Sequence, residues 1–386
     1  MPIMDKIAGW RDEMTATRRD FHQHPEIGFE EVRTSGIVAE KLGAWGIEVH
    51  RGIGKTGVVG VLKGAKGEGR TIGLRADMDA LPMEERTNLG YASQTPNRFH
   101  GCGHDGHTTM LLGAARYLAE TRDFAGTAVF IFQPGEEGCG GARAMIADGL
   151  FERFPCDEIY GLHNAPDDEP YRIGIKPGTA MAGADFFDFR IKGVGSHGAR
   201  PEVSKDPIIV ATQLVSALQS IVSRNISPTK SAVLSVTQIH AGSAYNVIPE
   251  EATVSGTVRY LDREVNERVR ERMRAIAAGI ATSFGVEIET DIRNVFDVLV
   301  NTEELVEGFA DAARDIVGDD NVYTKTDPVM GSEDFADMLF KVPGAYCTVG
   351  HAGTVQLHNP GFVLDDGILP VGASLLARIV ERRLAA

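Results

Sequence analysis

The chain has 386 residues, 43% of them hydrophobic and 24% charged, and a formal net charge of -15. That is enough chain for two domains and a large core, and the acidic balance argues against a nucleic-acid or anionic-membrane partner. Four cysteines, Cys102, Cys139, Cys156 and Cys347, are too few for a disulfide framework.

No apolar run approaches a membrane span. The start, Met1-Pro2-Ile3-Met4-Asp5, has no basic n-region and no apolar h-region, so a cytoplasmic protein with reduced thiols is expected. An amphipathic helix is predicted from about Asp5 to Phe21. His22-Gln23-His24-Pro25-Glu26 breaks it; the two histidines are ligand types, but Pro25 marks a helix stop and histidines near helix ends are common. A second helix is predicted from Thr34 to Leu42. Gly52-Ile53-Gly54-Lys55-Thr56-Gly57 matches the dinucleotide fingerprint letter for letter. The fingerprint needs a helix next, whereas Val58-Val59-Gly60-Val61-Leu62 is a strand, so that reading is rejected. A glycine-rich turn, Gly64 to Gly69, leads to the run Thr71 to Leu74, which predicts a hairpin with the strand before it.

That strand ends in Arg75-Ala76-Asp77-Met78-Asp79. The two aspartates alternate at its exit and share a face. They read either as a turn with Asx hydrogen bonds or as carboxylates holding a metal-ligating imidazole. Then comes Phe99-His100-Gly101-Cys102-Gly103-His104-Asp105-Gly106-His107. Cysteine and histidine are soft-to-borderline metal ligands, and the glycines let the backbone bend tightly. Leu111, Ala115 and Leu118 follow at helical spacing, so the stretch reads as a loop emptying into a helix with Asp105 as a candidate N-cap. The competing reading is a glycine-rich turn with solvated histidines.

A buried strand, Thr127 to Phe132, ends in Gln133-Pro134-Gly135-Glu136-Glu137-Gly138. Adjacent glutamates are usually two solvated charges. At an apolar strand tip one can ligate a metal while its neighbour handles protons. The strand Glu158 to Leu162 ends at His163, and the strand Ala345 to Val349 precedes His351 and His358. Asp79, Glu136, Glu137, His163 and His358 thus sit at or beyond the C-terminal ends of separate apolar strands, the edge where open α/β sheets form ligand sites. Between the halves, residues 184–295 read as strand, helix, strand, strand, helix, strand. That βαββαβ order is a compact split module, predicted as a domain inserted into a first one made of residues 1–183 and 296–386.

These motifs resemble the amidohydrolase branch of the two-metal aminoacylase and carboxypeptidase peptidases, which includes hippurate hydrolases, N-acyl-amino-acid amidohydrolases and hydrolases of indole-acetyl amino acid conjugates. The carriers are Arg75 to Pro82, Cys102-Gly103-His104-Asp105-Gly106-His107, Gly135-Glu136-Glu137-Gly138, Gly161-Leu162-His163-Asn164, Gly195-Ser196-His197, Asn246-Val247-Ile248-Pro249, Gly331-Ser332-Glu333-Asp334-Phe335 and His358-Asn359-Pro360. The resemblance implies an α/β, mixed-sheet catalytic domain holding two divalent metal ions, with the inserted ferredoxin-like module as a lid and homodimerisation domain. It implies Cys102, His104, Glu137, His163 and His358 as metal ligands and Glu136 as general base. It implies that His197 reaches the oxyanion, in its own or the partner subunit's active site, and that Asn246 and Arg259 contact the substrate's carboxylate. Other branches place a histidine before the strand-end aspartate and bridge the metals with an aspartate; here Asp77 and Cys102 stand there, as in the amidohydrolase branch.

The expected chemistry is hydrolysis of a small-molecule N-acyl amino acid. Five ligands are too many for one tetrahedral ion that also holds water. The mixed sulfur, nitrogen and oxygen set suits zinc, manganese, cobalt or nickel better than magnesium or calcium. Asp79 joins Glu136 and His197 in the expected catalytic set. A metallo-deaminase or small-peptide hydrolase on the same scaffold is the second reading, and a metal-binding dimer without catalysis the third. His100, His107 and His351 are expected to line the pocket or cap turns. Cys139 is expected to pack, Ser332 to cap a helix, and the run Arg263 to Arg274 to form a solvated helix face.

Overall fold

The structure, a computed structural model, describes residues 5–385. It separates into two compact units: one is the chain up to Ala180 with Val300–Asp327 and the chain from Asp334 onward, the other Met181–Leu299 with Pro328–Glu333. The short return of Pro328–Glu333 to the second unit carries no sequence pattern. It is held by Ala182, whose N–H is shared between the carbonyls of Val329 and Gly331, each at 3.0 Å.

The first unit is built on a sheet whose strands are β1 (Glu48–Ile53), β2 (Gly57–Lys63), β3 (Thr71–Asp77), β4 (Thr127–Gln133), β5 (Glu158–Ala165), β6 (Ile173–Ile175), β7 (Val322–Thr324) and β8 (Gly344–Gly350). Their order is β1-β2-β4-β3-β5-β8-β6-β7. The central four, β4, β3, β5 and β8, run parallel, with antiparallel partners on both sides. Strands buried on both faces read as continuous apolar runs, which is why Thr-Ala-Val-Phe-Ile-Phe of β4 is buried from Ala128 onward. The hairpin predicted between β2 and β3 does not form. β4 pairs with both and separates them, and the hairpin is β1 with β2 around Gly54 to Thr56. Sequence adjacency favours neighbouring strands only on average.

The helix His104–Thr121 is buried along most of its length and packs on the helices Arg11–Gln23 and Leu369–Arg383. A Cβ added at Gly372 would meet Met110 Sδ at 2.2 Å, so glycine sets how closely these helices approach. The helix starts at His104, and Gly103 before it has φ +89°, a backbone that favours glycine. Asp105 is therefore inside the first turn rather than the N-cap, where its charge still suits the helix dipole. The first amphipathic segment is likewise two helices, Asp5–Ala8 and Arg11–Gln23, interrupted at Gly9-Trp10.

The second unit carries a four-stranded antiparallel sheet in the order Ala232–Ala241, Glu251–Tyr260, Gly183–Lys192, Glu287–Phe296. The helices Pro207–Leu218 and Arg263–Phe284 pack on it over a core that includes Phe187, Phe189, Leu214 and Val269. This is the βαββαβ module read from residues 184–295. Among the described residues no helix is long and apolar enough to cross a membrane.

Arg75 on β3 joins strand ends that bear on the site. Its fully buried guanidinium donates to Asp77 Oδ2 at 2.8 Å, Gln133 Oε1 at 2.8 Å and Asp334 Oδ1 at 3.1 Å. Removing one partner of a buried ion pair typically costs about 3–5 kcal/mol, because the remaining charge stays buried. Arg75→Ala is expected to lose stability of that order in urea unfolding, and a loss under about 1 kcal/mol would contradict the network's role.

Candidate metal centre

The parallel strands β4, β3, β5 and β8 bring their C-terminal ends to one edge of the sheet, and the loops beyond them carry the chemistry. Asp77 ends β3, and Asp79 follows. Gly135 and Gly138, with φ +59° and +75°, turn the chain after β4 so that Glu136 and Glu137 sit between them. His163 lies near the end of β5, and His358 lies in the loop after β8.

Cys102 Sγ is 3.4 Å from His163 Nε2 and 3.3 Å from His358 Nε2. Glu137 Oε1 is 3.3 Å from His358 Nε2 and 3.9 Å from His104 Nε2. Two triads result, Cys102 with His104 and His163, and Cys102 with Glu137 and His358, each with its ligand atoms within 4.8 Å of one another. They share the sulfur. A further group of the same compactness joins His104, Glu136 and Glu137.

Backbone carbonyls settle which nitrogens face inward, because a carbonyl only accepts. His104 Nδ1 donates to Asp79 O at 3.0 Å, and His163 Nδ1 donates to Asn164 O at 2.7 Å. Each ring therefore turns Nε2 to the cluster, and the carbonyl on its far side fixes its orientation, as is usual for imidazoles that bind metals. Asp79 also accepts from the Glu137 N–H at 3.0 Å, so one carboxylate braces two of the inward-facing groups. His104 Nε2 and Glu137 Oε1 are buried and complete no hydrogen bond among the described residues. Two orphaned inward-facing atoms beside a thiol are what a cation would satisfy, and a thiolate, imidazoles and a carboxylate are the donor chemistry of transition-metal sites. The residues fit such a group.

Charge in the ion-free cluster is borne by protons. Burial works against a charge on His104, but Asp77, Cys102 and Asp79 outweigh it and hold its pKa well above the ordinary value. The adjoining Cys102 and Glu137 raise His358 to about 10. Burial raises the Cys102 thiol, and Glu137 raises it further. Burial and the neighbouring His107 hold His163 well below its usual range. Asp77 stays well below the usual carboxylate range; burial opposes this, and His104, Arg75 and His107 overcome it.

Glu136 is buried and accepts from the Asp334 N–H at 3.3 Å, beside Glu137 yet turned to a different partner. His358 has φ +60°, a left-handed backbone uncommon outside glycine, and its N–H donates to Gly101 O at 2.9 Å. The Cys102 loop thus holds the His358 backbone as well as its side chain.

Of the other predicted site residues, His197 and Asn246 come together in the second unit. Ser196–His197 pairs with Val247–Ile248, and the Gly198 N–H donates to Asn246 O at 2.7 Å. Arg259, on the strand Glu251–Tyr260, is half-buried and donates to Ser332 Oγ at 2.5 Å. Ser332 thus serves Arg259 and caps no helix, since Asp334 precedes the helix Phe335–Leu339. Cys139 is exposed. Sequence reasoning passed over His22: it is fully buried, with Nδ1 2.8 Å from Asp105 Oδ2 and Nε2 3.2 Å from Glu85 Oε1. It also passed over Asn164, which bonds to three segments of the site.

Residues 73–382 match the profile of peptidase family M20/M25/M40. The chain is 43% identical to the hippurate hydrolase of Campylobacter jejuni, over 100% of each chain. It is 40% identical to an N-acetylcysteine deacetylase of Bacillus subtilis, over 94% of each. It superposes with a TM-score of 0.84 on a dinuclear metal binding peptidase of the M20 family from Bacillus subtilis, at 35% identity over 98% of this chain and 99% of the other.

Ligands must shed protons to bind a cation. Cys102 and Glu137 raise the pKa of His358 in the ion-free protein, so acid favours the proton and alkali the ion. Divalent-ion affinity, measured by competition with a chelator, is expected to rise between about pH 6 and pH 8 with net proton release on binding. An affinity flat across that range would rule out His358 and Cys102 as ligands.

Proposed function

Because this chain belongs to peptidase family M20/M25/M40 and is a hydrolase of its amidohydrolase branch, we propose that it cleaves the amide bond of N-acyl amino acids, giving a carboxylic acid and a free amino acid. The observation that carries this reading is Glu136, a buried carboxylate within 4.8 Å of His104 and Glu137 that turns to Asp334 N instead. A purely structural metal site has no use for such a group. In this reading Cys102, His104 and His163 would hold one ion and Cys102, Glu137 and His358 the other, with zinc or manganese favoured and cobalt or nickel next. When bound, a pair of such ions polarises the amide carbonyl and brings the pKa of water toward about 7.

The chain's own residues do the rest. Glu136 takes a proton from the attacking water and returns it to the leaving amine. Asp79 keeps His104 and Glu137 aimed inward. His197 Nδ1 accepts from the Ala199 N–H at 3.1 Å, so its neutral ring carries the remaining proton on Nε2, a donor suited to the oxyanion. Arg259 has no carboxylate paired with it among the described residues, and burial lowers its pKa. It and Asn246 serve the carboxylate of the amino-acid half. The inserted module acts as lid and homodimerisation domain of a cytoplasmic enzyme. The relatives' names support the substrate class, since hippurate and N-acetylcysteine are both N-acyl amino acids.

Glu136→Gln, loaded with the same metal content as the unaltered enzyme, is expected to lose roughly 100- to 10,000-fold in kcat on hippurate. Unaltered turnover in that variant would remove Glu136 as the base. Arg259→Ala is expected to raise KM on hippurate while leaving cleavage of the matching carboxamide unchanged. An equal loss on both substrates would show that Arg259 does not read the carboxylate.

A further inference from the structure

Asn164 stands next to His163 at the end of β5 and is buried. Its side chain meets three different segments. Nδ2 donates to the Cys102 carbonyl at 2.6 Å and reaches His107 Nε2 at 3.1 Å, and Oδ1 lies 3.1 Å from His351 Nε2. The Cys102 carbonyl only accepts, which fixes the amide's orientation without reference to any hydrogen position. The oxygen end then faces His351 as an acceptor. Its main chain is equally committed. The N–H donates to His107 Nε2 at 3.0 Å, and the carbonyl accepts from His163 Nδ1 at 2.7 Å. His107 can accept there because its Nδ1 donates to Asp77 Oδ1 at 2.7 Å.

One residue therefore touches the loop that carries Cys102, the imidazole of His163 and the segment after β8 that leads to His358. It also explains Gly103, where an added Cβ would lie 2.4 Å from Asn164 Nδ2. No other side chain type does this in the same volume. Aspartate would set an oxygen against the Cys102 carbonyl and against the accepting nitrogen of His107. Leucine would take this partner from the buried Cys102 carbonyl and from the His351 imidazole.

We propose that Asn164 is the positioning residue that sets the Cys102 thiol against the His163 imidazole, and so fixes the ligand set that shares the sulfur. The proposal rests on the ligand assignment given under the proposed function. Asn164 touches no reacting atom. It acts through the Cys102 main chain and through the ring orientation of His163. Removal of partners that orient ligands typically costs about 10- to 100-fold in metal affinity.

The test uses the full-length protein, stripped with chelator and reloaded with cobalt(II). The unaltered protein is expected to bind two cobalt ions and to show a sulfur-to-cobalt charge-transfer band that Cys102→Ser abolishes. Asn164→Asp is expected to bind cobalt about 10- to 100-fold more weakly and, at full loading, to show a shifted or weakened band. Its ion-free form is expected to unfold within a few degrees of the unaltered protein. Asn164→Ser, which keeps one donor and adds no charge, is expected to show a smaller change in the same direction, and it carries the comparison alone if Asn164→Asp does not fold. A folded variant with unaltered affinity and an unaltered band overturns the proposal. So does a loss of affinity that merely follows a fall in ion-free stability while the band stays in place. If the unaltered protein binds cobalt without any thiolate band, the ligand assignment itself fails.

Discussion

A single sulfur shared by two groups of side chains with metal-ligand chemistry sets the tolerance of everything around it. Cys102 Sγ has imidazole nitrogens at 3.3 and 3.4 Å on two sides, from residues 61 and 256 positions away in the chain. Neither approach can relax without disturbing the other. The strands that deliver these residues are neighbours, β3, β5 and β8, spaced by the ~4.8 Å of a hydrogen-bonded sheet. Sheet order therefore sets which strand ends meet. Loops carry Cys102 and His358 on from β3 and β8, and glycines at 103, 135 and 138 turn them in left-handed conformations.

Buried charge does the remaining bracing, from two directions. Arg75 ties Asp77 to Gln133 and Asp334 on the β4 side. On the other side, Arg18 lies 2.8 Å from Asp105, which also meets His22, directly beneath the turn that launches His104. Such networks are expensive to desolvate, and apolar replacements are often as stable. Their retention here makes sense as geometry rather than stability. A hydrogen-bonded ion pair fixes angle and distance, and a metal cluster is sensitive to both. The same crowding raises the pKa of His104 through Asp77 and of His358 through Cys102 and Glu137, which couples cation uptake to pH.

What could be read from the sequence follows from how each feature is encoded. Buried parallel strands announce themselves as apolar runs, and Glu136, Glu137 and His163 were visible because they break such runs at the tips. The βαββαβ module was readable for the same reason: its periodicity is local. The hairpin assigned to β2 and β3 failed because β4, more than fifty residues on, inserts between them, and no local pattern reports a non-local insertion. His22 looked like a helix-end histidine because its partner, Asp105, is 83 positions away. Asn164 carries no charge, no metal-ligand chemistry and no spacing, so the motif it shares with His163 gave it no role before its three partners were seen together. Ser332 was misread because the helix it precedes begins three residues later, leaving its hydroxyl to Arg259.

The three imidazoles of the centre are not held alike, and the difference gives the site a direction. His104 and His163 are each pinned by a backbone carbonyl on Nδ1, from Asp79 and Asn164. Both carbonyls belong to residues next to or on the sheet, so these rings share the rigidity of the core. Among the described residues His358 has no such anchor. It stands on a left-handed residue of a loop, held through its N–H to Gly101, and its side chain is 53% exposed. Within the first unit, then, one wall of the cluster is fixed and buried and the opposite wall is open to water. Glu137 bridges the two, 3.9 Å from His104 and 3.3 Å from His358. In the reaction proposed above, water and the amide would reach Glu136 from the open wall. The sheet thus supplies the precision, and the loop after β8 supplies the access.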